Sequence, residues 1–175
     1  MQIEDPESLL SPERLREWRR CVKNEVLPRL LLTVPGLVFP RRIVAQSVTH
    51  QASNVGTGAG HVTQKTDFDM ETGIAWQREV GDVHMTAALL VSPAFKHLIA
   101  HELGHYHEMS VRLAHRTRMP SVASQIVWTE YFAERIAYGS GFQDISIPPE
   151  IRGRAELQVA IQAHKEMAVD AYAHF

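Results

Sequence analysis

The sequence predicts an α+β fold in one domain spanning residues 1–175. Three observations carry that expectation. The chain is long enough to bury a core without cross-links. After an opening helix, its text up to about residue 92 is rich in strand-forming residues and broken by turn signals. From there on, apolar residues recur at helical spacing. The first part therefore predicts a small twisted antiparallel or mixed sheet, and the second a run of helices.

Ser11 as N-cap and Pro12 at the first helical position start a helix through "PERLREWRRCVKNEVL", with Leu15, Trp18, Val22 and Val26 on one stripe. Pro28 and Pro35 are expected to close that section. "RRIVAQSVTH", "GIAWQREV" and "VHMTAALLV" are rich in Val, Ile, Thr and aromatic residues and read as three strands. The glycine-rich "SNVGTGAG" at 53–60 opens no helix and has no Gly-Lys-Ser/Thr ending, so it reads as a hairpin tip rather than a phosphate cradle. "DFDMETG" at 67–73 lacks the spacing and terminal Glu of a calcium loop and reads as a turn. Ser92 and Pro93 open the next helix, "SPAFKHLIAHELGHYHEMSVRLAH". A second, "SQIVWTEYFAERIAYGSG", is marked by Ile126, Val127, Tyr131 and Ile136 and ended by Gly139. A last helix at about residues 149–175 has Leu157, Ile161 and Ala168 as its packing stripe.

Composition narrows the partners. A net charge of -2, from 18 basic and 20 acidic residues, gives no footprint for nucleic acid or an anionic membrane. The expected partner is a protein or peptide. The most apolar run, "LPRLLLTVPGLVF", is interrupted by Arg29 and Pro35 and is too short to span a bilayer. The lone Cys21 has no partner for a disulfide within the chain, which points to a reducing compartment and a cytoplasmic protein.

The chemistry concentrates in "HELGHYHE". His101 and His105 are four apart on a helix, so both imidazoles share a face and can converge on one ion. Glu102 is rotated about 100° from His101, which sets its carboxylate beside the ion, where it can take a proton from water. Gly104 costs roughly 1 kcal/mol of helix propensity, a cost that fits a close approach at that point. A catalytic zinc with three protein ligands needs one more donor. Glu108 lies on the same helix and would point alongside the histidines. Glu130, on the following helix, is the better candidate. Glu134, one turn later on the same face, is placed to accept the remaining N–H of a ligating histidine.

"HELGH" followed by "EYFAE" resembles the gluzincin metallopeptidases, and the short chain with "HELGHYHE" is most similar to the compact ImmA/IrrE-like metallopeptidases. The resemblance covers roughly residues 92–140. It implies a zincin-like fold, a Zn2+ ion held by His101, His105 and Glu130, Glu102 as general base, and hydrolysis of peptide bonds in a protein substrate such as a regulatory protein. The chain departs from the larger members in having Glu134 where they have Asp. No residue matches the Tyr or His that assists their oxyanion, although Tyr106, His115, Tyr131 and Tyr138 are available. Metzincin spacing is excluded, because Glu108 and Val111 stand where Gly and His are needed. A di-iron bundle would need a second Glu-x-x-His, and a structural zinc would need thiolates.

The zincin resemblance places an extended substrate along "VHMTAALLV" or its neighbour as an added strand. His97 is expected to be a wall or core residue. Cys21 is expected to be a small core hydrophobe rather than a latch on the metal, and Arg112, Arg116 and Arg118 a solvated basic run. The alternative function is a non-catalytic zincin-fold regulatory or interaction domain, against which the presence of Glu102 argues.

Overall fold

Strand pairing at the middle of the sheet follows from alternation of side chains along two short segments. In 43–46 and 83–86, Ile43, Ala45, Val83 and Met85 are all buried, and their backbones run parallel in register. The computed structural model describes residues 1–47, 60–72, 74–91, 94–116, 118–119 and 122–142. The elements run β1 (Gln2–Glu4), α1 (Pro12–Cys21), a π-helical segment (Val22–Val26), α2 (Leu27–Thr33), β2 (Arg42–Gln46), β3 (Gly60–Asp69) and β4 (Ile74–Thr86). A 3-10 turn (Ala87–Val91), α3 (Phe95–His115), β5 (Arg118–Met119) and α4 (Val122–Gly139) follow.

The chain is mixed α and β. Its sheet has the order β1-β2-β4-β3, with β5 added to β4. β1 with β2 and β2 with β4 are parallel, whereas β3 and β5 run antiparallel to β4. On one face Ile43, Val62 and Val83 form a cross-strand row and join Ile99, Leu103, Val22, Val26 and Leu30 in a single core. All the described residues lie within one compact unit, Met1–Gln143. The expected last helix lies outside the described residues. Among those described, no helix is long and apolar enough to cross a membrane.

Several expectations change. "GIAWQREV" and "VHMT" are one strand, not two, because β4 continues through Gly81 and Asp82. Gly81 is no turn. A Cβ there would collide with Thr63 Oγ1, which donates across the ladder to the Asp82 carbonyl. "AALLV" coils into the 3-10 turn. β3 had no clear signature because its text, "GHVTQKTDFD", is mostly polar, as suits an outer strand. The expected turn at its end is present, with Asp69 Oδ1 accepting from the Glu71 amide at 2.9 Å.

The first helix also outruns its expected stop. Proline lacks an N–H and its ring crowds the carbonyl four residues back. Val22–Val26 widen to a π turn just before Pro28, with the Leu27 amide bonded to the Val22 carbonyl, and the helix continues to Thr33. It closes at Pro35 and Gly36, whose φ is +84°. Trp18, Val22, Val26 and Leu30 form its buried stripe. Ser92 and Pro93 lie outside the described residues, and so do the side chains of Ile126 and Val127. On α4, Ile136 is buried as expected but Tyr131 is 54% exposed.

α3 and α4 meet at Gly104. A Cβ on that residue would stand 2.9 Å from Ala133 Cα and 3.3 Å from its carbonyl oxygen, both backbone atoms that cannot swing away. Gly104→Ala should therefore cost about 1–3 kcal/mol by overpacking, offset in part by roughly 1 kcal/mol of helix propensity. The expected result is a lower midpoint in urea. An unchanged or higher midpoint would show that the two helices can separate freely.

Candidate metal centre

The helix register of α3 presents His97, His101 and His105 at successive turns, and the close approach at Gly104 brings α4 up against them. His101 Nε2 and His105 Nε2 lie 2.8 Å apart. Glu130 reaches the same point from α4, with Oε2 3.4 Å from His101 Nε2 and Oε1 3.5 Å from His105 Nε2. These three donors form one of two groups of candidate ligand atoms among the described residues. The second, His97, His101 and Glu134, is adjacent and shares His101.

The donor triangle can be tested against a metal. Zinc bonds of about 2.0–2.1 Å in tetrahedral array place neighbouring donors about 3.3 Å apart. Edges of 2.8, 3.4 and 3.5 Å match that size. Two bare Nε2 lone pairs facing each other would repel, so the 2.8 Å contact holds either a hydrogen donated by one ring to the other or an ion that takes both lone pairs. Glu134 Oε1 is 3.0 Å from His101 Nδ1. A carboxylate there accepts the Nδ1 hydrogen and leaves the Nε2 lone pair toward the cluster.

Electrostatics point the same way. Burial works against charge on His101, but hydrogen bonds to Glu130 and Glu134, with the field of Glu102, raise its pKa to about 10. Hydrogen bonds from His101 and His105 hold Glu130 well below the usual carboxylate range. Burial pushes Glu134 up, yet the neighbouring rings of His101 and His97 bring it to about 2. The pocket favours a positive charge, which can be a proton or a divalent ion competing for the same lone pairs.

Glu102 stands apart from the three donors. Its side chain is buried, and burial raises its pKa against the opposing pull of His105 and His101. It packs against the start of β3, where a Cβ on Gly60 would fall 2.9 Å from Glu102 Cγ and 2.8 Å from the His84 carbonyl oxygen. Of the expected hairpin tip at 53–60, residues 53–59 lie outside the described residues, and Gly60 begins β3 in a close approach that no local sequence signal marks.

The structure thus brings His101, Glu102, His105, Glu130 and Glu134 together. Glu108, weighed as a ligand, is instead buried against Arg112, with Oε2 2.7 Å from Arg112 Nη2. The expected solvated run is corrected by the same contact. Arg112 is 5% exposed and also donates to Thr129 Oγ1 at 3.2 Å, while Arg116 is exposed. Their spacing of four on one helix was the available signal. Cys21 is buried beside Glu25 and Lys96. Of the tyrosines and histidine available near an oxyanion, Tyr106 packs on the core, His115 is exposed, Tyr138 packs edge-on against His97, and Tyr131 is exposed next to Glu130.

β4 is corrected as a substrate platform, since Val83–Thr86 pair with β2 on one side and Val83–Met85 with β3 on the other. Among the described residues, its neighbour β3 is one of the two edge strands in the order β1-β2-β4-β3. No protein-family model, curated protein or solved structure matches the chain.

Elemental analysis after purification without chelators should find about one divalent metal per chain, lost in His101→Ala and in Glu130→Ala. Metal that survives Glu130→Ala would remove Glu130 from the ligand set.

Proposed function

We propose that the protein is a zinc-dependent metalloendopeptidase of zincin-like fold that hydrolyses peptide bonds of a protein substrate. The observation that carries the reading is the convergence of His101 and His105 from α3 with Glu130 from α4, beside a buried carboxylate that takes no part in the triangle. His101 Nε2, His105 Nε2 and a Glu130 oxygen would hold the ion, and Glu134 would orient the His101 ring. When bound, zinc supplies Lewis acidity toward a water molecule and a peptide carbonyl.

The remaining chemistry belongs to the side chains. Glu102 accepts a proton from the attacking water on a carboxylate oxygen and returns it to the nitrogen of the leaving amine as the C–N bond breaks. Burial suits it to that exchange, because a carboxyl raised from its ordinary pKa binds a proton more readily near neutral pH. Gly60, with no side chain, leaves that carboxylate room against β3. The outer edge of β3 offers backbone donors and acceptors to an extended peptide, so the substrate is placed there as an added strand. We further propose a cytoplasmic setting, on the strength of the single buried cysteine.

Glu102→Gln keeps the size of the side chain but removes the base. It should retain metal and lose about 10²–10⁴-fold in turnover of a peptide library. Turnover equal to wild type would sink the assigned role of Glu102. A metal-loaded wild type that cleaves nothing in the library, yet retains a protein partner, would favour the interaction-domain alternative. Gly60→Ala should displace Glu102, lowering turnover while leaving metal content unchanged. Full activity in that variant would show that β3 does not set the base.

A further inference from the structure

His97 lies one turn before His101 on α3 and is 4% exposed. Its Nδ1 is 2.9 Å from the Phe142 carbonyl oxygen, just beyond α4. A carbonyl only accepts, so Nδ1 carries a hydrogen. The other ring nitrogen, Nε2, is 3.3 Å from Glu134 Oε2. An ionised carboxylate also only accepts, so this contact is attractive when Nε2 carries a hydrogen too, which makes the ring a cation. Glu134 Oε2 is buried and has no aligned hydrogen bond, so the His97 ring is the donor group facing that oxygen. Glu134 Oε1, meanwhile, is 3.0 Å from His101 Nδ1. One carboxylate therefore bridges two histidines on successive turns of α3. Aspartate, a methylene shorter, would draw both oxygens back from the two rings.

We propose that His97 is a positioning residue of the metal centre that acts through Glu134: anchored on the Phe142 carbonyl, it holds one Glu134 oxygen so that the other fixes the ring of His101 with Nε2 toward the ion. The role rests on the metal reading above and deepens it. It explains why Glu stands at position 134, and it ties the turn that ends α4 to the orientation of a ligand on α3.

The test is a double-mutant cycle on the full chain, reading Zn2+ affinity by chelator competition and the visible spectrum of the Co2+-loaded protein. His97→Phe should weaken Zn2+ binding about tenfold, at the lower end for a partner behind a ligand, and shift the Co2+ bands. His97→Gln, which keeps a donor toward Glu134 without the charge, should fall between it and wild type, and carries the test if the Phe variant does not fold. In a Glu134→Ala background, His97→Phe should change affinity by no more than about twofold, because its route is already cut.

Undiminished affinity in both His97 variants overturns the proposal while leaving the metal reading intact. An equal loss from His97→Phe with and without Glu134 overturns it as well, since the effect would then be general packing. Two Zn2+ per wild-type chain overturns it by making His97 a ligand, in the adjacent group with His101 and Glu134. A wild type that binds no Zn2+ removes both readings.

Discussion

The distance between α3 and α4 governs everything at the centre of this molecule. It is set at one point, where Gly104 lets the backbone of Ala133 into the space a side chain would fill. From that contact Glu130 and Glu134, which flank Ala133 on α4, are delivered to His101 and His105, which flank Gly104 on α3. A wider separation would leave two histidines without their carboxylates. The helix propensity given up by glycine is thus the condition under which four polar side chains from two helices meet.

The same interface carries a second polar pair. Glu108 and Arg112 are both nearly inaccessible, and Thr129 of α4 hydrogen bonds to each. Removing charges from water is expensive unless they are paired, so an α3–α4 packing that keeps Glu108, Arg112 and Thr129 together is favoured over one that separates them. A rotation of α3 that broke this pair would strand two charges. The histidine face is held in its rotational setting by a pair that lies outside both groups of candidate ligands.

What could be read from the sequence follows a division between local and non-local information. His101, Glu102 and His105 are fixed relative to one another by helix geometry alone, so their shared region was legible. Glu130 and Glu134 required only a second helix with the right spacing. Gly60 was not legible, because its proximity to Glu102 depends on the pairing of β3 with β4. His97 carried a signal, since it continues the spacing of four, but its partners lie on α4 and at Phe142. The sheet was legible in part. β2 and the stretches of β4 have apolar alternation, whereas β3 is polar enough to pass for loop. Gly81 was misleading because a glycine that admits a neighbouring threonine looks, in sequence, like one that makes a turn. Pro28 misled for a comparable reason, since a π turn upstream removes the conflict that would end the helix.

The strand order has a consequence for how the molecule assembles. The candidate ligands sit on two helices joined by a short connection, a local arrangement that closes little chain and is favoured to form early. The parallel pairing of Ile43 with Val83, by contrast, closes a long stretch of chain before it gains anything. The helical pair and the β3–β4 hairpin that walls in Glu102 are both local and can form ahead of that parallel pairing. In the order that topology favours, the cluster of donors and the wall beside Glu102 are assembled from local contacts, and the parallel pairings that join β2 to the rest of the sheet come after them.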